Sequence, residues 1–123
     1  MARILLVEDN EMNRDMLTRR LVRSGHEVMI AVDGEQAVEI AGQEMPEIVL
    51  MDIGLPGIDG YEATRRLRAA EATARLPVIA LTAHAMSGER ERAVDAGCDD
   101  FDTKPVDIKR LLAKVETLLA KES

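Results

Sequence analysis

Residues 48–56, with the sequence IVLMDIGLP, decide how this chain folds. Four consecutive apolar residues, bounded by Pro46 and by a turn rich in glycine and proline, are typical of a strand buried on both faces. Asp52 follows where this strand should end. Ligands and chemistry in open α/β sheets lie at the carboxyl ends of the strands, so Asp52 stands where a carboxylate can react. An aspartate that only begins a turn would have the same sequence pattern, so other parts of the chain are needed to distinguish a reactive carboxylate from a turn residue.

The same strand and helix alternation continues on both sides of this stretch. Strands are predicted at 3–7, 27–31, 48–52, 78–82 and 99–103. Helices are predicted at about 13–24, from 33 onward, at about 59–69, at 87–96 and from 108 onward. Capping patterns at Asp33 and Asp59 begin two of these helices, and Gly25 and Gly97 end two of them.

Five strands that alternate with five helices predict a parallel sheet covered on both sides. With right-handed crossovers this is an α/β, doubly wound (βα)5 flavodoxin-like three-layer sandwich, with the strand order 2-1-3-4-5. Its switch point lies between strands 1 and 3. These strands end in Glu8-Asp9 and in Asp52, so the topology predicts three carboxylates in one crevice.

Composition limits the classes of protein to which the chain can belong. Its 123 residues suit one domain, 1–123, and we see no linker or further output domain in them. Sixteen basic against 23 acidic residues give a net charge of −7, which argues against sequence-independent binding to nucleic acid or anionic lipid. No apolar run is long enough to cross a bilayer, and a signal peptide pattern is missing. The single cysteine, Cys98, cannot form an internal disulfide, so a cytoplasmic location is expected.

The side chains at the strand ends indicate a chemistry. Three neighbouring carboxylates repel one another unless a cation joins them, and Mg²⁺ suits such oxygen ligands, although a solvated acidic rim is the simpler alternative. Strand 4 ends with the hydroxyl of Thr82 and strand 5 with the ammonium group of Lys104. A carboxylate nucleophile, a divalent ion, a hydroxyl and a lysine together predict a site for a phosphoryl group on Asp52.

The whole chain resembles the receiver domains of bacterial response regulators, most closely the single-domain cell-cycle regulators. The resemblance is carried by VEDN at 7–10, MDIGLPGIDG at 51–60, LTA at 81–83, GCDDF at 97–101 and KP at 104–105. It implies that Asp52 is the phosphoacceptor, with Thr82 and Lys104 at the phosphoryl oxygens. It also implies that Mg²⁺, with Mn²⁺ as a substitute, is held by the side chains of Glu8, Asp9 and Asp52 and by the backbone carbonyl of Gly54.

The resemblance implies a switch and two kinds of partner. Phe101 would turn inward when Thr82 moves towards the phosphoryl group, and the bond from Lys104 to Pro105 would be cis. The phosphodonor would be a histidine kinase or a histidine phosphotransfer protein. A downstream protein, rather than nucleic acid or a membrane, would bind the face formed by helix 4, strand 5 and helix 5. The chain would be a monomer or a weak dimer that assists its own phosphorylation and dephosphorylation.

Three other functions are open at this point. A receiver domain excised from a hybrid histidine kinase would have the same sequence features. A flavodoxin-like carrier of FMN shares the strand order, but the loop after strand 1 is acidic and aromatic residues are scarce. An aspartyl-phosphate hydrolase usually has a second carboxylate two residues after the nucleophile, where this chain has Gly54.

Further predictions concern single residues and pairs of residues. Gly54 is unusual for the family, and we hypothesise that it leaves the phosphoryl group less shielded, so that His84 partly sets its lifetime.

Met12 and Met16, spaced as i and i+4, are predicted to be in the core, with a docking role as the alternative. Cys98 is predicted to be a small buried residue. His26 and His84 lack the spacing of a zinc site.

Overall fold

The computed structural model describes residues 2–83 and 88–122, in which strands and helices alternate along the chain. The strands of this described part are β1 (Arg3–Val7), β2 (Glu27–Ala31), β3 (Ile48–Asp52), β4 (Val78–Thr82) and β5 (Asp100–Thr103). Its α-helices are α1 (Glu11–Arg23), α2 (Gly34–Glu44), α3 (Gly60–Ala69), α4 (Glu89–Ala96) and α5 (Ile108–Glu122). A short 3₁₀ turn, Glu71–Thr73, lies between α3 and β4.

The sheet has the predicted order, β2-β1-β3-β4-β5, and every neighbouring pair is parallel. Its register places Val7 beside Met51, Asp52 beside Leu81, and Thr82 beside Thr103. The carboxyl ends of β1, β3, β4 and β5 therefore reach the same edge of the sheet. This confirms the doubly wound α/β fold.

Each face of the sheet buries its own apolar core. Because side chains alternate along a strand, Leu5 and Val7 pack with helices α2, α3 and α4, whereas Ile4 and Leu6 pack with α1 and α5. All five residues of β3 are buried, as the apolar run that ends in Asp52 predicts. These two cores and the sheet between them form the three layers.

Local capping explains where the helices begin. The side chains of Asp33 and Asp59 each accept a hydrogen bond, of 2.8 Å, from the backbone amide three residues later, as predicted. In a full capping box the side chain of Gln36 would accept from the amide of the N-cap residue, Asp33. In α2 it accepts instead from the amide of Val32, one residue earlier. Helix α1 begins at Glu11, two residues earlier than predicted, because Asn10 caps it. Gly97 ends α4 with a left-handed φ of 102°, as expected, and residue 87 lies outside the described residues.

The prediction that Met12 and Met16 are core residues is wrong. Met12 is 81% exposed and Met16 is 42% exposed, whereas Leu17 and Leu21 are buried beneath α1. The buried stripe of α1 is narrow, and these two leucines fill it. The methionines consequently lie on the solvent side of the helix.

The side chain of Arg68 joins segments at the amino ends of β4 and β5. Its guanidinium donates hydrogen bonds to the carbonyls of Gly97 (2.9 Å), Leu76 (2.6 Å) and Thr73 (3.3 Å), and to the carboxylate of Asp99 (2.9 Å). The carboxylate of Asp99 also accepts a hydrogen bond from the backbone amide of Val78, so it links the segment before β5 to the start of β4. β5 begins at Asp100, one residue later than the predicted start at Asp99. Arg68 thus connects α3, the 3₁₀ turn, β4 and the end of α4.

Replacing Arg68 with methionine is expected to lower the free energy of unfolding by about 2 kcal/mol, because buried carbonyls would lose a charged donor. The apolar stem is retained in this variant, so the loss reports on the hydrogen bonds. Chemical denaturation measures it. Arg65→Met is the control, since Arg65 is exposed and has an ion pair with Glu62 at 3.4 Å. An equal loss in both variants would contradict this role for Arg68.

Candidate functional site

The crevice at the carboxyl ends of β1, β3, β4 and β5 contains the polar residues that the sequence places at the strand ends. The side chains of Glu8, Asp9 and Asp52 each offer a carboxylate oxygen within 4.8 Å of the others. Glu8 and Asp52 are buried, with 1% and 5% of their surface exposed, and Asp9 is exposed. Burial of two carboxylates side by side makes this cluster different from a solvated acidic rim.

Lys104 neutralises part of this negative charge. Its Nζ lies 2.9 Å from Glu8 Oε1 and 3.1 Å from Asp52 Oδ1, so one ammonium group bridges both buried carboxylates. Burial alone would lower the pKa of Lys104, but the hydrogen bond to Glu8 and the charges of Asp52 and Glu8 outweigh it and raise that pKa. Lys104 is therefore a permanent cation at neutral pH.

Glu8 is the carboxylate that burial affects most clearly. Burial raises its pKa, and the neighbouring Asp52 raises it further, whereas the hydrogen bond from Lys104 partly offsets both effects. The backbone amide of Asn10 also donates to Glu8, at 3.3 Å. Glu8 consequently holds a proton at a higher pH than an exposed glutamate.

The surroundings of Asp52 leave its carboxylate accessible from one side. The backbone amide of Gly54 donates to Asp52 Oδ1 at 3.2 Å. A Cβ atom built at Gly54 would meet only Asp52 Oδ1, at 4.0 Å, so a side chain at this position would have room beside the carboxylate. The hypothesis that Gly54 leaves the phosphoryl group less shielded stays a prediction. His84, the other residue in that hypothesis, lies outside the described residues.

Thr82 and Lys104 meet because β4 and β5 end together. Thr82 is buried, lines the crevice, and accepts a hydrogen bond through its carbonyl from the amide of Lys104, at 2.7 Å. The peptide bond from Lys104 to Pro105 is cis, as the family resemblance implies. Phe101 is half-buried on β5 and has Arg90 and Lys114 5.3 and 5.8 Å from its ring centre. Its inward rotation stays a prediction.

Three residues that line the crevice were missed by the sequence analysis. The hydroxyl of Tyr61 on α3 donates a hydrogen bond to Glu89 on α4, and Arg92 lies 4.7 Å above the tyrosine ring. Burial and the negative charge of Glu89 raise the pKa of Tyr61 above its usual range. The position of Tyr61 in the first turn of α3, directly after the acceptor loop, was the available signal.

The oxygen-only donor set of the crevice fits a hard divalent cation. Two buried carboxylates and one exposed carboxylate suit Mg²⁺, which binds through one or two carboxylates and keeps several waters. The neighbourhood holds no histidine or cysteine ligand among its described lining residues, which is unlike a zinc site.

Two other residues have structural surroundings away from this crevice. Cys98 is buried, as predicted, and its thiol lies 3.8 Å from the hydroxyl of Thr64. His26 Nδ1 accepts a hydrogen bond from the amide of Ala2. Within residues 2–83 and 88–122, we find no helix with the length and apolar character that a membrane span requires.

Comparison with protein families identifies the class. Residues 4–116 match the model of the response regulator receiver domain. The chain belongs to this family, and the match includes the carboxyl ends of all the strands that form the acidic crevice.

Individual relatives resemble the chain over almost its full length. The polar-differentiation response regulator DivK of Brucella ovis is 35% identical over 116 residues, which are 94% of this chain and 94% of DivK. The DNA-binding dual master transcriptional regulator RpaA of Synechocystis is 38% identical over 97% of this chain, which spans only 49% of RpaA.

A solved structure resembles the chain over nearly its whole length. The receiver domain of the sensor histidine kinase PA1611 from Pseudomonas aeruginosa is 40% identical, with a TM-score of 0.90 over 97% of this chain and 98% of that one. That structure has a magnesium ion coordinated in its active site cleft. The chain is therefore a response regulator receiver domain with an acidic pocket that fits magnesium.

Proposed function

We propose that the chain is a phosphoryl-accepting switch in which Asp52 is the acceptor and Glu8, Asp9, Asp52 and the carbonyl of Gly54 hold Mg²⁺. One observation carries the proposal: the buried Asp52 carboxylate lies 3.1 Å from Lys104 Nζ and shares its crevice with two further carboxylates. A buried nucleophile with a fixed cation beside it is suited to phosphoryl transfer, which depends on positioning and charge neutralisation.

The chemistry assigns a role to each strand end. A carboxylate oxygen of Asp52 forms a bond to phosphorus while the bond from phosphorus to the donor's histidine nitrogen breaks. The donor imidazole keeps the electron pair of that bond and leaves neutral, because its other nitrogen carries a proton. Lys104 and the hydroxyl of Thr82 donate hydrogen bonds to the phosphoryl oxygens. The bound Mg²⁺ supplies charge neutralisation during transfer.

Membership of the receiver domain family supports the proposed partners. The donor is a histidine kinase or a histidine phosphotransfer protein, and the receiver's own residues assist both transfer and later hydrolysis. Phosphorylation draws Thr82 inward, Phe101 turns into the space, and the face formed by α4, β5 and α5 binds a downstream protein. We propose a cytoplasmic monomer or weak dimer without nucleic-acid binding of its own.

We further propose that the domain acts by itself, over residues 1–123. The near-complete overlap with DivK, 94% of each chain, supports this. The overlap with a receiver domain of a sensor kinase supports the second candidate, in which the same switch is one part of a larger protein. Detection of the intact endogenous polypeptide by size distinguishes them: a product of about the size of these 123 residues supports a stand-alone regulator.

Intact-protein mass spectrometry tests the proposed chemistry. The protein is incubated with acetyl phosphate, with and without Mg²⁺, and we expect one phosphoryl adduct that requires the metal. Mn²⁺ should replace Mg²⁺. A folded protein that forms no adduct with any divalent ion would contradict the proposal.

The stabilisation of the protein by Mg²⁺ is expected to increase with pH. The pKa of Glu8 is raised in the folded protein, so protonated Glu8 stabilises the fold at low pH and this stabilisation is lost as pH rises through the pKa of the folded state. Mg²⁺ needs the deprotonated carboxylate, so it should bind better once Glu8 has lost its proton. The increase in melting temperature on adding Mg²⁺ should be larger at about pH 7.5 than at about pH 5. Glu8→Gln is the control, and its response to the metal should be weaker and depend less on pH. A response in the wild type that is equal at both pH values would contradict the assignment of Glu8.

A further inference from the structure

Tyr61, Glu89 and Arg92 form a connected group on the wall of the crevice that α3 and α4 supply; we refer to them as the α4 cluster. Tyr61 is 2% exposed, and its hydroxyl donates to Glu89 Oε2. Arg92 Nη1 lies 3.5 Å from the other oxygen, Glu89 Oε1, and its guanidinium covers the tyrosine ring. One carboxylate thus binds a buried hydroxyl on one side and an exposed cation on the other.

The charges of the crevice make Arg92 the cation that is free to respond. Its described lining has four carboxylates, those of Glu8, Asp9, Asp52 and Glu89, and two cations. Lys104 is fixed by two buried carboxylates, at 2.9 and 3.1 Å. The side chain of Arg92 is 62% exposed, and its contacts are a long ion pair with Glu89 and the face of the Tyr61 ring, so it can reorient at low cost.

Phosphorylation of Asp52 would increase the negative charge and the number of acceptor oxygens near Arg92. Conversion of the Asp52 carboxylate into an acyl phosphate adds about one further negative charge near neutral pH and several acceptor oxygens. A guanidinium matches phosphoryl oxygens in bidentate geometry better than it matches one carboxylate oxygen at 3.5 Å. Glu89 is left with Tyr61 as its partner.

We infer that Arg92 is a phosphoryl-positioning residue that leaves Glu89 for the phosphoryl group on Asp52 and thereby transmits the state of Asp52 to α4. This inference rests on the proposed function, because it requires the phosphoryl group to be on Asp52. A purely structural role is the alternative: Arg92 and Glu89 would only be an i,i+3 pair, like Arg65 and Glu62 on α3.

The chain contains its own spectroscopic probe for this exchange. Tyr61 is the only tyrosine and the sequence has no tryptophan, so the tyrosine emission of the protein comes from the α4 cluster. A carboxylate that accepts the tyrosine proton quenches this emission, and Glu89 becomes a stronger acceptor once Arg92 leaves it. We expect the emission to fall when acetyl phosphate and Mg²⁺ are added. It should recover at the rate at which mass spectrometry shows the adduct to be lost.

Three variants separate the two roles of Arg92. In Arg92→Gln we expect low emission from the outset, no further fall on phosphorylation, and an adduct that forms roughly five-fold more slowly, because one charge-assisted contact is missing. Arg92→Lys keeps the charge without the planar fork and should recover part of both effects. Arg65→Gln removes the matched i,i+3 pair outside the crevice and should behave like the wild type.

The outcomes distinguish failure of the inference from failure of the proposed function. An adduct in the wild type without any change in emission overturns the role of Arg92 and leaves the phosphoacceptor intact. Equal adduct kinetics in Arg92→Gln and Arg65→Gln also overturn it. If no adduct forms in the wild type, the proposed function fails and the inference fails with it.

Discussion

Asp52→Asn is expected to abolish the phosphoryl adduct under all conditions while leaving the protein folded. The amide has nearly the same volume and can still accept the hydrogen bond from the amide of Gly54. It lacks the negatively charged oxygen that attacks phosphorus. The variant also removes one of three mutually repelling carboxylates, which offsets the loss of a partner for Lys104. Intact mass and thermal melting are measured on the same sample.

Asp102→Asn is the matched control for this variant. Asp102 is also a buried strand aspartate, 3% exposed on β5, but its carboxylate pairs with Arg110 at 2.7 Å, on the α5 side of the sheet. Its replacement is expected to lower stability and to leave adduct formation in place. An adduct that persists in Asp52→Asn would show that another residue is the acceptor.

Gly60→Ala is expected to have the largest effect on folding. A Cβ atom at this position would lie 2.4 Å from the backbone oxygen of Asp52 and 2.8 Å from Cα of Ile53. Both are backbone atoms that cannot rotate away, so α3 or the end of β3 must move. We expect the free energy of unfolding to fall by about 2–3 kcal/mol. Because the acceptor strand is displaced, the rate of adduct formation should fall as well.

Gly42→Ala is the control for the effect of alanine itself. Gly42 lies inside α2, and nothing lies within 4 Å of a Cβ atom built there. Alanine at an open helical position is expected to raise stability by about 0.5–1 kcal/mol. Chemical denaturation of both variants gives the comparison, and a Gly60→Ala protein as stable as the wild type would rule out the close packing of α3 on β3.

Much of the fold could be predicted because the chain marks its strands clearly. The continuous apolar run at 48–51, bounded by proline and glycine, is typical of a strand buried on both faces, and the helical patterns between such runs predict a parallel sheet. Since parallel strands end at a common edge, the meeting of Glu8, Asp52 and Lys104 follows from topology alone. The ion pair between Glu8 and Lys104, 96 residues apart, is a direct consequence.

Contacts between helices were not predictable in the same way. Tyr61 and Glu89 are 28 residues apart on helices whose mutual orientation depends on packing, and no sequence pattern specifies that orientation. The contact between Arg68 on α3 and Asp99, 31 residues away in the segment before β5, likewise depends on how α3 packs. The exposure of Met12 shows a related limit, because helical spacing gives a stripe but not its width.

The hydrogen bonds of Arg68 have a mechanical consequence for α4. The carboxyl end of this helix is fixed, since Arg68 binds the carbonyl of Gly97, whereas its amino end borders the crevice through Glu89. A displacement of α4 should therefore be a rotation about Gly97 rather than a translation. A helix of eight residues is about 12 Å long, so a rotation of about 10° moves its far end by about 2 Å. The addition of one charge at Asp52 can thus move the amino end of α4 by about the diameter of an atom, while Gly97 at the carboxyl end stays in place.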